Sequence, residues 1–416
     1  MQPLSLGIDF GTSGARAIVL DPLGQIQAQS SIHLSEQTTA EWQSGLETLI
    51  GQIPLALRRQ IRSVAVDGTS STVLLCDVLG HPLDTPILYF DDRGRDQLGK
   101  IQQIASTQPV VISATSSLAK VLWWVEQARS ITTMPYLLHQ ADWLAFLLHG
   151  QLGISDYHNA LKLGYDVEQL CYPDWLLRLN LPIHLPQVFP PGTAIGCLRS
   201  AWVETFQFPP DCVVCAGTTD SIAAFLASGA SQPGEAVTSL GSTLVLKLLS
   251  HIRIEESATG IYSHRLGQFW LVGGASNTGG AVLQQFFSPA ELQALSRQIQ
   301  PDRPSQLHYY PLLKPGERFP INDPNLAPCL SPRPADPKQF LQGLLEGIAR
   351  IEAEGYQRLQ QLGATTLSRV YTAGGGAQNA TWTQIRSRHL QVPVQISPQT
   401  EAAYGTARLC SLRLCA

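Results

Sequence analysis

Leu6-Gly-Ile-Asp-Phe-Gly-Thr-Ser-Gly-Ala-Arg-Ala-Ile-Val-Leu20 is the stretch from which the rest of the chain is read. Two apolar runs, Leu4 to Asp9 and Ala15 to Leu20, flank a small, hydroxyl-bearing turn, Gly11-Thr-Ser-Gly14. Apolar runs of that length, bounded by glycines, predict the two strands of a hairpin. Glycine admits positive φ, so successive N–H groups of the turn can point into a shallow nest for an anion, usually phosphate. Asp9 ends the first strand beside that nest. A carboxylate next to phosphate is repulsive unless a cation lies between them, so Mg²⁺ is expected at Asp9. An ordinary edge hairpin with a polar turn explains the same residues, and a second hairpin, described below, weighs against it.

A chain of 416 residues, 44% hydrophobic and 14% charged, predicts two domains with sizeable cores. A net charge of −4 invites neither nucleic acid nor an anionic membrane. No apolar run reaches membrane-spanning length, and the opening residues lack the charged-then-apolar plan of a signal peptide, so a cytoplasmic location is expected. The eight cysteines are scattered; Cys212-Val-Val-Cys215 reads as buried thiols on a strand rather than a metal or redox pair.

Asp21-Pro-Leu-Gly24 predicts a type I turn feeding a third strand. Leu46, Leu49, Ile50, Ile53 and Leu57 keep helical spacing, with Pro54 as a break. Ser63 to Asp67 reads as a strand ending in another polar turn, Asp67-Gly-Thr-Ser-Ser71, and ligands of α/β sheets gather at such ends. Leu118 to Ala128 and Gln140 to Leu148 read as apolar helices with Trp123, Trp124 and Trp143 in the core, and Pro182 to Pro210 reads as irregular. A boundary is expected near Gly229 to Gly234. Beyond it, Ala236 to Leu240, Gly241-Ser-Thr243 and Leu244 to Leu249 repeat the opening plan of strand, small turn, strand. One such turn in each half points to a duplicated fold whose two phosphate hairpins face across a cleft. Phe340 to Leu362 reads as a long amphipathic helix, Ala380 to Leu390 as a helix capped by Asn379, and Glu401 to Leu414 as a small-residue helix.

Asp220 follows a strand, Val213 to Ala216, and three small residues, Gly217-Thr-Thr219, that leave room for a substrate hydroxyl. A carboxylate there can accept a proton as the hydroxyl attacks a γ-phosphate, or it can simply cap the helix from Ser221. Gly374-Gly-Gly376 follows a strand, and backbone without side chains can lie against a planar ring or a phosphate. Gly94-Arg-Asp-Gln-Leu-Gly-Lys-Ile101 nearly spells a P-loop, but isoleucine replaces the Mg²⁺-binding hydroxyl and no buried strand leads into it. No Gly-x-Ser-x-Gly elbow or His-Glu-x-x-His is present, so serine hydrolase and zinc protease readings have no support.

Taken in order, these motifs resemble the FGGY family of carbohydrate kinases. Gly7-Ile-Asp-Phe-Gly-Thr-Ser13, Gly217-Thr-Thr-Asp220 and Ser239-Leu-Gly-Ser-Thr243 are similar to its first phosphate, catalytic-base and second phosphate motifs. Gly316-Glu-Arg-Phe-Pro320 is similar to its Gly-Glu-Arg-x-Pro loop, and Gly374-Gly-Gly-Ala-Gln-Asn-Ala-Thr-Trp382 to its adenosine motif. The resemblance implies an α/β fold of two actin-like (ribonuclease H-like) ATPase domains around a central cleft. Residues 1–227, joined by the C-terminal helix 401–416, would carry the sugar site and the base; residues 228–400 would bind ATP. It also implies roles. Asp220 is the general base; Asp9 and Thr12 serve Mg²⁺ and phosphate in the hairpin that holds Gly11 and Ser13. Gly241, Ser242 and Thr243 form the second phosphate hairpin, and Gly375, Gly376, Asn379 and Trp382 the adenine pocket. Asp9, Ser71, Asp91, Arg93 and Asp220 face the sugar. Ser70-Ser71 stands where the xylulokinases of the family place methionine and histidine, and the chain resembles a short cyanobacterial and plant branch associated with D-ribulose. ATP-dependent phosphorylation of a ketopentose, D-ribulose before D-xylulose, is the expected activity. Other acceptors (glycerol, a hexulose, a cyclitol), an actin-like ATPase switch without a sugar, and a sugar sensor that has lost catalysis remain as alternatives.

Overall fold

The computed structural model describes residues 3–105, 109–127 and 134–411. They form two compact units. One holds the chain up to Ala227 and again from Glu401; the other holds Ser228–Thr400.

The first unit is built on a seven-stranded sheet. Its order is Ile26–His33, Gly14–Leu20, Leu4–Phe10, Ile61–Gly68, Val213–Cys215 and Ala194–Cys197, with Thr218–Thr219 also pairing with Ile61–Gly68. Leu4–Phe10 runs antiparallel to Gly14–Leu20 and parallel to Ile61–Gly68. It is covered on both faces, which is why it reads as a continuous apolar run rather than an alternating one. Leu6, Ile8 and Phe10 pack with Trp42, Leu46, Leu49 and Ile50 of the helix Thr39–Gln52. That helix is capped by Thr38, which accepts from the Glu41 N–H, and it ends just before Pro54. On the other face lies the helix Ala402–Ser411. An alanine Cβ at Gly7 would stand 2.1 Å from the Ala403 carbonyl oxygen, so only glycine lets strand and helix approach this closely. The expected extension of that helix to Leu414 lies outside the described residues, as does the expected helix end at Ala128.

Two expectations for this unit need correction. Pro182 to Pro210 is not irregular: it carries the strands Gln187–Phe189 and Ala194–Cys197 and the helix Ser200–Phe206. Its prolines fall in the connections, and Ala194–Cys197 pairs antiparallel with Val213–Cys215. Trp124 and Trp143 are core, but Trp123 is only partly buried and the Arg93 guanidinium lies 4.8 Å from its ring centroid. Cys212 and Cys215 are buried, as expected of structural thiols. The near-P-loop lies in the helical turns Arg93–Gln97 and Leu98–Ile104, with Gly94 pressed on Ala119.

The second unit has a six-stranded sheet in the order Tyr262–Leu266, Phe269–Ser276, Leu244–Ser250, Glu235–Leu240, Arg369–Ala373 and Val394–Ile396. The helix Pro337–Gln361 covers one face, burying Leu341, Leu344, Leu345 and Ile348 against Leu244, Leu246 and Leu248. A buried ion pair joins it to the helix Ala380–Leu390: Arg386 Nε and Nη2 donate to Glu352 at 2.6 and 2.7 Å, and Glu352 also accepts from Thr238. No helix among the described residues is long and apolar enough to cross a membrane.

Candidate functional site

In the first unit, three aspartates stand at the carboxyl ends of adjacent parallel strands. Asp9 and Asp67 are register partners, and Thr218, two residues before Asp220, is the next partner of Asp67. Asp67 is fully buried and its Oδ2 accepts from the Thr406 hydroxyl on the C-terminal helix. The Oδ1 atoms of both Asp9 and Asp67 are buried with no protein partner. Burial lifts the Asp9 carboxyl to about 6, with the charge of Asp220 adding to it. Burial first, then the neighbouring Asp9, pushes Asp67 well above the ordinary carboxylate range. Two carboxylates so placed favour one shared proton or a cation. Among the described residues no three acidic, His or Cys groups gather as a metal cage. A hard cation here would fit a site of one or two protein carboxylates completed by phosphate oxygens and water, the usual arrangement for Mg²⁺.

Asp220 opens the helix Asp220–Ala227, and its Oδ1 accepts from the Ser221 N–H at 2.6 Å. The small residues before it do not leave open space. A Cβ at Gly217 would meet the Val66 carbonyl oxygen at 2.0 Å, and Thr218 and Thr219 are buried. Small size there serves close packing of the strands. The Thr218 hydroxyl contacts His158 Nδ1 at 2.7 Å, and its carbonyl accepts from Asn159.

The turn Gly11–Gly14 is closed by the Gly11 N–H donating to the Gly14 carbonyl, with Thr12 and Ser13 exposed. Neither glycine has the positive φ expected of a nest. Gly14 is required instead because a Cβ there would stand 2.7 Å from the Ile32 carbonyl oxygen.

Ser71 is buried at positive φ (69°), and its Oγ has no partner. Its carbonyl accepts from the Lys120 ammonium at 2.7 Å, and the same ammonium donates to the Leu88 carbonyl at 2.7 Å. Lys120 thus ties the Ser71 turn to the segment that leads to Asp91. Burial brings Lys120 down to about 7. Asp91 and Arg93 pair with each other: Arg93 Nε and Nη2 reach Asp91 at 3.0 and 2.7 Å, which holds the Asp91 carboxyl below its usual range. Three further polar groups stand nearby with unpartnered buried atoms: Thr219 Oγ1, inside the Gly217–Asp220 motif, and Gln140 Nε2 and Asn159 Oδ1, which no motif marks. Gln140 Oε1 accepts from the N–H and hydroxyl of Thr69, two residues beyond Asp67. Gln140 lies between His139 and Asp142 at the start of its helix, so nothing in the local sequence sets it apart.

In the second unit, a cavity of about 880 Å³ brings Gly241 and Ser242 together with Gly375, Gly376, Asn379 and Trp382. Thr243 is absent from its lining. The Gly241 and Ser242 carbonyls accept from the Gly280 and Ala281 N–H groups, which fixes the second hairpin turn. Gly374 is the glycine the turn demands: its φ is +83°, and a Cβ would stand 2.7 Å from the Leu240 carbonyl oxygen. A Cβ at Gly375 would meet nothing within 4 Å, so bare backbone faces open space there. Asn379 caps the helix, accepting from the Trp382 N–H, and also donates to Ser296. Trp382 lines the cavity from beneath: it is 2% exposed and donates its indole N–H to the Leu345 carbonyl. Arg297 and Gln293 line the same cavity without any motif to announce them. In the Gly316–Pro320 loop, Glu317 is buried and accepts from Ser276, Asn277 and Tyr310, which anchors the loop.

Comparison with known proteins identifies the family. Residues 4–227 match the N-terminal domain of the FGGY family of carbohydrate kinases, and residues 236–413 match its C-terminal domain. A xylulose kinase of Staphylococcus epidermidis is 21% identical over 100% of this chain and 90% of its own. Among solved structures, a "xyloylose kinase" from Brucella ovis superposes with a TM-score of 0.87 at 23% identity, over 98% of this chain and 90% of its own. Glycerol kinase of Plasmodium falciparum, solved with ADP, superposes with a TM-score of 0.84 at 17% identity, over 98% and 89%.

Proposed function

We propose that this chain, which belongs to the FGGY family of carbohydrate kinases and so is an ATP-dependent sugar kinase, phosphorylates the terminal primary hydroxyl of a ketopentose, D-ribulose in preference to D-xylulose. The observation that carries the reading is the group of buried, unpartnered atoms at the strand ends of the first unit: Ser71 Oγ, Gln140 Nε2, Asn159 Oδ1 and Thr219 Oγ1. A buried polar atom left unpaired costs about 1–3 kcal/mol, and a polyol supplies both donors and acceptors to relieve it. Ser71 stands where the resemblance places a histidine in xylulokinases, which supports ribulose.

In this reading Asp220 accepts the proton of the attacking hydroxyl. The new bond forms between that oxygen and the γ-phosphorus as the bond to the bridging β–γ oxygen breaks, and ADP leaves. Asp9, with Asp67 beside it, would hold Mg²⁺, which supplies neutralisation of charge on the phosphate oxygens. In the first unit the exposed Thr12 and Ser13 offer donors to phosphate; in the second, the turn Gly241–Thr243 offers such donors, and the bare backbone at Gly375 and Gly376 a surface for adenine.

A coupled ADP-release screen over D-ribulose, D-xylulose, arabinitol, ribitol, glycerol and gluconate tests this. D-ribulose should give the highest kcat/KM. Another acceptor in first place overturns the ketopentose assignment, and ADP release indifferent to every acceptor favours an ATPase switch.

A further inference from the structure

Gln140 and Asn159 are buried amides, and an amide side chain is a donor at one end and an acceptor at the other. In each, the hydrogen bonds already made decide which end is left over. Gln140 is held at its backbone, whose N–H donates to the Thr72 carbonyl at 3.0 Å. Its Oε1 accepts from the N–H and the hydroxyl of Thr69, both at 2.9 Å. A backbone N–H only donates, so the amide oxygen must face it, and both lone pairs of that oxygen are occupied. What remains is Nε2, a donor, buried with no partner among the described residues. Asn159 is oriented the opposite way. Its Nδ2 donates to the Asp156 carboxyl at 2.6 Å and to the Thr218 carbonyl at 3.2 Å. A carbonyl only accepts, so the amide nitrogen must face it, and both of its protons are used. What remains is Oδ1, an acceptor, likewise without a partner among the described residues.

The two amides meet the same pair of strand ends. Thr219 is the register partner of Gly68, and Thr218 that of Asp67. A Cβ at Gly68 would stand 2.9 Å from Gln140 Oε1, so glycine lets the amide lie against the strand end. Asn159 reaches the neighbouring strand through the Thr218 carbonyl. Neither free amide end relieves the other, and the hydroxyls of Ser71 and Thr219 relieve neither.

A ketopentose has a chemical reason to need a donor of this kind. Its five-membered ring closes through the C5 oxygen onto C2, so a sugar that offers its C5 hydroxyl for phosphorylation is in the open chain and carries a bare C2 carbonyl. That oxygen accepts and cannot donate, which matches the free end of Gln140. The hydroxyl of an alditol at the same place must also find an acceptor for its own proton, and Gln140 Oε1 has no lone pair left to give. We infer that Gln140 Nε2 donates to the C2 carbonyl oxygen of the acceptor and that Asn159 Oδ1 accepts from one of its hydroxyls, so that Gln140 selects ketoses over alditols. The inference rests on the ketopentose reading above and adds to it the residue that reads the oxidation state of C2.

The test compares D-ribulose with ribitol and D-arabinitol, the alditols that carry a hydroxyl where D-ribulose has its carbonyl. Initial rates at saturating ATP give kcat/KM for each acceptor. The ketose-to-alditol ratio is taken within one preparation, so any loss of folded enzyme cancels. The wild type should favour D-ribulose about tenfold or more. Gln140→Glu keeps an oxygen towards Thr69 and puts an acceptor where the donor stood. Its ratio should fall about tenfold or more, chiefly through the KM for D-ribulose, and fall further with rising pH as the new carboxyl loses the proton it would otherwise donate. Gln140→Met, which offers neither group, should bring the ratio near unity, and either variant alone decides the matter. If another ketose proves the better acceptor, it is compared with its own alditols in the same way. A ratio unchanged in the variants, with a ketose still preferred by the wild type, overturns this inference and leaves the ketopentose reading standing. An alditol preferred by the wild type overturns both.

Discussion

A carboxylate that takes a proton from an alcohol does so only where the alcohol is delivered to it, so the residues around the reacting group matter as much as the base. Asp220→Ala should lower kcat by on the order of 10²-fold or more while the KM for ATP stays within a few-fold; near-wild-type turnover under saturating ATP would remove Asp220 from the mechanism. Lys120 acts one step back. It is buried and gives its protons to the carbonyls of Ser71 and Leu88. Lys120→Met leaves both carbonyls without that donor and frees the turn that presents Ser71. The expected result is a KM for the sugar raised about tenfold, with the KM for ATP unchanged, read from initial rates with each substrate varied. The Asp9–Asp67 pair makes a prediction in pH. Asp9 holds its proton up to about 6 in the folded chain against 3.8 as its ordinary value. The folded state therefore binds more protons between those values, and this contribution to stability is full below 3.8 and lost as pH rises through about 6. Asp9→Asn removes the titrating carboxyl and should flatten that fall. Thermal midpoints measured without Mg²⁺ from pH 4 to pH 7 would contradict this if the two profiles ran parallel.

At the scale of the element, each glycine-rich turn is specific about which glycine it needs. Gly374 is held by its positive φ and by the Leu240 carbonyl, whereas Gly375 has open space where a side chain would go. Gly375→Val should fill part of the nucleotide pocket without strain. The KM for ATP should rise about tenfold, and the thermal midpoint and the KM for sugar should hold; an unchanged KM for ATP would place the nucleotide elsewhere. Local sequence carried much of this layer. The opening hairpin, the second hairpin and the capped helix after Asn379 were each legible from apolar runs and small-residue punctuation. What stayed hidden depends on pairing between distant segments. Asp67 reads as an ordinary end-of-strand aspartate, and only its register with Asp9 makes it half of a pair. The strands Tyr262–Leu266 and Phe269–Ser276 went unread because Gly273 and Gly274 interrupt the pattern in the second of them. Trp382 lies three residues from Asn379 in a pocket motif, but the helix that Asn379 starts turns its ring into the core.

On the scale of the whole molecule, the chain path sets an asymmetry between the units. Ser228–Thr400 is contiguous, but the first unit is complete only when the chain returns at Glu401. The returning helix is not peripheral to it. Ala403 and Ala407 pack on Ile18 and Leu20, and Thr406 donates to Asp67. At both Gly7 and Gly405 even a methyl group would strike backbone, at 2.1 and 1.8 Å. Losing so closely matched a surface exposes the sheet face together with one member of the carboxylate pair. A fragment of residues 228–400 should therefore unfold cooperatively on its own. A fragment of residues 1–227 should not, until a peptide of residues 401–416 is added. Circular dichroism melts of the two fragments, with and without the peptide, read this directly. A cooperative melt of 1–227 alone, unmoved by the peptide, would show that the returning helix is dispensable to the sheet that holds Asp9, Asp67 and Asp220.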